Sequence, residues 1–153
     1  MDYNTLIFIH IASVILLLGV GGGSAFYKFM ADRSGNLDVI VHTNKMVVLA
    51  DWLFTTPSAI LQPLTGVMLV NLLDLPFSTT WLLVSIVLYV LAGILWLVAV
   101  YLQIRMKQLA LLAQKEKQVL GEEYFRLVKY WIYLGIFSFF AMAGVFVLMV
   151  FKF

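Results

Sequence analysis

Asn44, Asp51, Thr55, Ser58, Gln62 and Thr65 recur at steps of three, four and seven residues among Val, Leu, Phe, Trp and Ile. Seven residues make about two turns of an α-helix, so these six side chains share one helical face. A carboxylate, hydroxyls and amides on one face have the chemistry to bind a polar solute, relay a proton or brace a neighbouring helix. Asp51, Thr55 and Gln62 would form the polar core of such a pathway, with Ser58 between them. Part of the face has a purely structural reading. Pro57 and Pro63 each remove a backbone N–H and tend to kink a helix, and Thr55, Thr56 and Ser58 are placed to satisfy the freed carbonyls.

His10 is the second candidate, about five residues and roughly 8 Å inside the first apolar run. A buried imidazole can ligate haem iron or another metal, pass protons, or hydrogen-bond an adjacent helix. Ser13, Leu17, Gly21, Ser24 and Lys28 follow on its face, and the small residues from Gly19 to Gly23 permit close helix approach. Gly21-Gly22-Gly23 lacks the strand context and the lysine-serine ending of a phosphate loop. His42 lies near the other end of the membrane, about 27 Å of helix away, too far to share one iron with His10. Partners for His10 are therefore expected among Gln62, Met68, Ser85, Tyr89 and Met149; the two methionines read either as axial ligands or as packing.

Asp51 is the only acid within the predicted spans, where it reads as an ion-pair partner of Lys28, Lys45 or Arg105, or as a proton or solute contact. Ser85, Tyr89, Ala92, Trp96 and Gln103 share a face that reads as a wall for a flat aromatic ligand or as a packing face. Arg105 at its end would meet a carboxylate, whether a haem propionate or Asp51, or would snorkel to headgroups.

The elements that must position these groups follow from composition. The chain of 153 residues is 63% hydrophobic and 12% charged, with a mean hydropathy of +1.02. A water-soluble domain cannot hide that much apolar surface, so lipid is the expected solvent. A formal charge of +2 gives no reason to expect nucleic acid, and the absence of cysteine excludes disulfides and thiolate sites. The first apolar run has no basic residue before it and is long for a cleaved leader, so it reads as a retained span.

The predicted fold is all-α: a single domain over residues 1–153, built as a four-helix transmembrane bundle. Its spans fall at about 5–30, 45–73, 80–103 and 129–151, the third helix continuing toward Lys115 and the fourth starting at Gly121-Glu122-Glu123. Ala31 to Asn44 reads as a polar loop turning at Ser34-Gly35-Asn36, Asp74-Leu75-Pro76 as a tight turn, and Ser78-Thr79-Thr80 as an N-cap cluster. Trp81 and Trp131 read as interfacial, Trp52 and Trp96 as deeper. Lys28, Arg33 and Lys45 flank the first connection; Arg105, Lys107, Lys115, Lys117, Arg126 and Lys129 flank the third; none flanks the second. The positive-inside rule then places connections one and three in the cytoplasm and both termini outside, in a multi-pass protein of the bacterial inner membrane.

Phe8-Ile9-His10-Ile11, Ala50-Asp51-Trp52-Leu53-Phe54-Thr55-Thr56-Pro57, Gln62-Pro63-Leu64-Thr65-Gly66, Leu102-Gln103-Ile104-Arg105-Met106 and Leu148-Met149-Val150-Phe151-Lys152 resemble an uncharacterised family of bacterial predicted integral membrane proteins, over almost the full length. That resemblance implies a fold. A more distant one is to the HemJ-type protoporphyrinogen oxidase, a four-helix membrane protein that binds haem b. His10 matches its first-span histidine, Pro57 and Gly66 its second-span pattern, and Trp81 the tryptophan opening its third span. The lysine after that tryptophan is absent, the stretch reading Leu82-Leu83-Val84-Ser85, and so is the asparagine-glutamate-proline segment near the fourth span. What the likeness implies is haem b on His10 in a redox or haem-metabolic role; depth and helical face, read from the residues, add Met68, Ser85, Tyr89 and Arg105 as expected cofactor contacts.

Three readings stand side by side: this haem protein with a membrane redox partner, a non-catalytic subunit or scaffold in the bilayer, and a solute or proton pathway around Asp51, which in so small a chain calls for a homodimer. The orientation is testable because the chain lacks cysteine. An impermeant maleimide added to intact cells is expected to label Leu75→Cys and to spare Gln118→Cys; the reverse pattern would invert the topology.

Overall fold

The computed structural model describes residues 2–152, and four of its helical segments are long and apolar enough to cross a membrane. They are α1 (Tyr3–Ser34), the continuous segment formed by α2 (Leu37–Ala50) and α3 (Thr56–Leu72) through a π-helical turn at Asp51–Thr55, α4 (Thr80–Glu116) and α5 (Glu122–Phe151). No strand occurs among the described residues.

The helix ends follow local chemistry. The Asp2 carboxylate accepts from the Thr5 N–H at 3.2 Å and the Thr5 hydroxyl at 2.6 Å, which caps α1 and holds that carboxyl below the usual range. Gly35 ends α1 at φ 65°, the left-handed conformation that glycine adopts without strain. Asn36 then caps α2 through its side-chain oxygen, which accepts from the N–H groups of Asp38 and Val39. Glu122 and Glu123 sit in the first turn of α5, where carboxylates complement the helix dipole. The polar stretch predicted as a loop over 31–44 is instead helical on both sides of Gly35-Asn36. Helices α1 and α4 are about 48 and 55 Å long, so their ends pass beyond a hydrocarbon core about 30 Å thick and carry polar residues there.

Pro57 is accommodated differently from the expected mid-span kink. It falls at the start of α3, where a missing N–H costs little, and the turn before it widens: the Thr56 N–H reaches back five residues to the Asp51 carbonyl. The Thr55 hydroxyl does not patch the backbone. It donates to Asp51 Oδ1 at 2.9 Å.

Helix α1 packs along α2 and α3, α2 packs on α4, and α4 and α5 form the most extensive pair. Asn44, Asp51, Thr55, Ser58, Gln62 and Thr65 are each 5% exposed or less, so the whole polar stripe faces the interior. Phe8, Ile15, Trp52, Leu53, Leu64, Leu97 and Phe137 point outward, the arrangement that lipid requires.

The core is divided. One apolar cluster, near the ends rich in Lys and Arg, joins Ile40, Val41, Ala99, Met106, Ala110, Tyr124 and Trp131; another joins Val14, Ala92 and Met142. Beside the first lies a buried polar knot. Lys28 Nζ donates to Asp32 Oδ2 at 2.9 Å and to the Tyr124 hydroxyl at 3.1 Å. That hydroxyl donates to Asp32 Oδ1 at 2.6 Å and accepts from Asn44 Nδ2 at 2.8 Å. The Lys28 ammonium also sits 5.2 Å from the Tyr124 ring centre and 5.6 Å from that of Trp131. One phenol thus ties α1, α2 and α5 together. A buried charge pair adds stability only when its remaining groups are satisfied, and here the Tyr124 hydroxyl bonds both partners and is itself held by Asn44.

Tyr124→Phe keeps the ring and removes the hydroxyl from three hydrogen bonds. It is expected to lower unfolding stability in mixed micelles by about 1–3 kcal/mol, whereas Tyr133→Phe, on an exposed tyrosine, leaves it unchanged. Equal effects would remove the knot from the account.

Candidate functional site

Between the two apolar clusters lies a half-open cavity of about 420 Å³, with Phe29, Ile136, Phe139 and Phe140 exposed at its mouth. Leu17, Gly21 and Ser24 of α1 line it, from the face that begins at His10. Asp51 and Thr55 of the π turn line it from the stripe. Tyr89, Ala92, Trp96 and Gln103 of α4 line it together, and Trp131, Gly135 and Met142 close it from α5. The walls are mostly apolar and the polar groups are few, a composition typical of ligand sites.

Those few polar groups are incompletely paired. Asp51 Oδ2, Gln103 Oε1 and Trp96 Nε1 are buried and have no hydrogen-bond partner in the protein, although Asp51 and Gln103 are only 5% and 6% exposed. Gln103 stands near the Asp51 carboxyl, and its amide oxygen has no partner in the protein. An unpaired buried polar group costs about 1–3 kcal/mol, so three around one cavity are a concentrated cost. Tyr89 is satisfied: its hydroxyl donates to the Ala59 carbonyl at 2.6 Å and links α4 to α3.

The glycines of the wall leave space. A Cβ built on Gly21, Gly93 or Gly135 would meet no atom within 4 Å. The contrast is Gly66, where a Cβ would stand 3.3 Å from His10 Cε1. Gly66 lets the imidazole lie close against α3, and there His10 is fully engaged. The Thr65 hydroxyl donates to the Leu61 carbonyl at 2.7 Å, so at its 2.9 Å contact with His10 Nδ1 it accepts. His10 Nε2 is then the lone-pair nitrogen, and Gln62 Nε2 donates to it at 3.0 Å.

This arrangement does not fit an axial haem ligand. The lone pair an iron would need is held by Gln62, and His10 does not line the cavity. The other predicted cofactor contacts do not gather around it. Met68 is 44% exposed on the outer face, and Ser85 donates to the Trp81 carbonyl at 2.7 Å within its own helix. Arg105 pairs with Glu123 at 3.1 Å near the surface, not with Asp51 or a site for propionates. Only Tyr89 of that set lines the cavity, and no residue lining it is basic. Among the described residues no group of three or more His, Asp or Glu side chains forms a metal-binding cluster.

Asp51 has none of the three predicted cationic partners. Lys28 is taken by Asp32 and Arg105 by Glu123; Asp51 is bonded by Thr55 and has Gln103 nearby instead. Ser58 is buried in the stripe but does not line the cavity, and Gln62 belongs to the His10 latch. Trp131, predicted at the interface, is buried below Lys28, while Trp81 lies 5.9 Å from the Lys152 ammonium. Sequence reasoning passed over Asp32 and Tyr124; the spacing of four between Lys28 and Asp32 was the available signal.

A family model described as predicted integral membrane protein (DUF2269) matches residues 4–153. The chain belongs to that family. No curated protein and no solved structure matches it. As a DUF2269 protein it is an integral membrane protein with four helices able to span the bilayer, in agreement with the resemblance carried by the segments around His10, Asp51 and Gln62.

The latch makes a coupled prediction. Gly66→Leu displaces His10 and is expected to cost about 1–3 kcal/mol of stability. In the His10→Ala background the same substitution costs measurably less, because the clash is gone. Equal costs in both backgrounds would show that Gly66 does not accommodate the imidazole.

Proposed function

We propose that this DUF2269 protein is a membrane-embedded binding protein whose interior cavity around Asp51 takes a small molecule with an apolar body. One observation carries the reading: three side chains that line a single cavity, from the π turn and from α4, each hold a buried polar atom without a protein partner, and glycines at 21, 93 and 135 leave its walls open. A scaffold that only packs helices has no use for this arrangement, since apolar side chains at Asp51, Trp96 and Gln103 would close the core at lower cost. The His10 latch and the Lys28 knot lie outside the cavity and are read as structural, holding α1 against the other helices.

The setting follows from the charge distribution. The Lys- and Arg-rich ends face the cytoplasm, and the protein resides in the cytoplasmic membrane with the His10 end outward. Asp51 follows α2 on the cytoplasmic side of that span, so the cavity is nearer the inner leaflet than His10 is.

Solvent extraction of protein purified in mild detergent, followed by mass spectrometry, tests the reading. Wild type is expected to release a stoichiometric small molecule that Gly93→Leu, which fills the cavity, does not retain. The His10→Ala variant is expected to keep the molecule and to match the wild-type absorbance. Identical extracts from wild type and Gly93→Leu would contradict the binding role, and a Soret band lost in His10→Ala would restore the haem reading.

A further inference from the structure

The chemistry of the unpaired atoms specifies more than the existence of a ligand. Two of the three, Asp51 Oδ2 and Gln103 Oε1, are acceptors, and they belong to neighbouring side chains of the cavity wall. Asp51 is the only Asp, Glu, Lys, Arg or His among the residues that line the cavity. Among the described residues no cation pairs with it: Lys28 is bound to Asp32, and Arg105 is bound to Glu123. A carboxylate in apolar surroundings is costly unless something neutralises it, and the hydrogen bond that the protein supplies is that of the Thr55 hydroxyl to Oδ1.

The walls around this acceptor pair are aromatic. Tyr89, Trp96 and Trp131 line it from within the bundle, and the more exposed Phe29, Phe139 and Phe140 line its mouth. Ring faces attract a cation and tolerate an apolar body. They offer no advantage to an anion, whose charge would also oppose Asp51. The remaining unpaired atom, Trp96 Nε1, is a donor and suits an oxygen on the same ligand.

Resting on the binding role proposed above, we infer that the ligand is an apolar amine, bound as the ammonium, with its N–H groups shared between Asp51 Oδ2 and Gln103 Oε1. A single protonated nitrogen carries enough N–H groups to satisfy both acceptors at once, which a lone hydroxyl does not. The body of the molecule occupies the space beside Gly21, Gly93 and Gly135, where the walls carry no side chain. A cavity of about 420 Å³ has room for a fused-ring or short-chain amine, its apolar part against the aromatic and glycine walls. A hydroxyl or carbonyl oxygen on that body accepts from Trp96.

The test is a matched pair of probes, naphthylethylamine and naphthylethanol, titrated into the full-length protein in nanodiscs and followed by tryptophan fluorescence. The two share a ring system and differ at the head. Gly93→Leu, titrated in parallel, subtracts partition into lipid. Wild type is expected to bind the amine at least about tenfold tighter than the alcohol, as suits a charge-assisted hydrogen bond in a water-poor site. Asp51→Asn keeps the shape of the side chain and is expected to abolish that preference while the alcohol still binds. Should Asp51→Asn fail to fold, Gln103→Met is expected to lower the ratio by several-fold. Equal affinity for amine and alcohol in wild type would overturn the ammonium inference and leave the binding role intact. Failure of both probes to bind wild type more than Gly93→Leu would overturn the inference and also count against the cavity as a binding site.

Discussion

Lipid offers no hydrogen bonds, and the rest of the structure depends on that constraint. A helix that carries Asn44, Asp51, Thr55, Ser58, Gln62 and Thr65 through a bilayer has one acceptable rotation, with all six turned inward. Once inward, each polar atom must find a partner on another helix or in its own. The stripe therefore dictates what α1, α4 and α5 present to it, and the bundle is organised by that demand.

The demand is met differently at three heights. At the end rich in Lys and Arg, Asn44 joins Tyr124, Lys28 and Asp32 in a buried knot across α1, α2 and α5. At the opposite end Gln62 and Thr65 hold the two nitrogens of His10, with Gly66 giving the imidazole room. Both join separate helices and leave the imidazole and the ammonium fully engaged. Between them, at the π turn that accommodates Pro57, pairing stops short. Asp51 gains Thr55 and still has an oxygen to spare, as Trp96 and Gln103 of the same cavity wall each have an unpaired atom. At the His10 end one atom, Gln62 Oε1, is left without a partner; three of the four such buried atoms among the described residues belong to side chains that line the one cavity in the middle.

The direction of the stripe was legible in the sequence because a polar residue in lipid has a single permitted side. The face of α4 that holds Tyr89, Ala92, Trp96 and Gln103 was legible for the same reason, and those four do line the cavity. Helix ends were harder. Apolar composition reports where lipid is, not where a helix stops, so the polar turns of α1 and α2 past the bilayer resembled a loop. Pairings across helices were harder still. Lys28, Lys45 and Arg105 all lay at a plausible height for Asp51, and only packing decides that Asp32 and Glu123 reach the first and last of them. The role of His10 turned on the same limit. A histidine in a span looks alike as a ligand or as a latch until the groups on its two nitrogens are known, and here they are Thr65 and Gln62.

The central claim is that the cavity beside Asp51 is a binding site and not a packing defect. An experimental density map of the protein purified in native lipid tests it most directly. The account predicts density within hydrogen-bond reach of Asp51 Oδ2, Gln103 Oε1 and Trp96 Nε1, continuing past Gly93 and Gly135 as one body larger than water. A core closed by side chains, with those three atoms paired to the protein itself, or a cavity containing only separate waters, would contradict it.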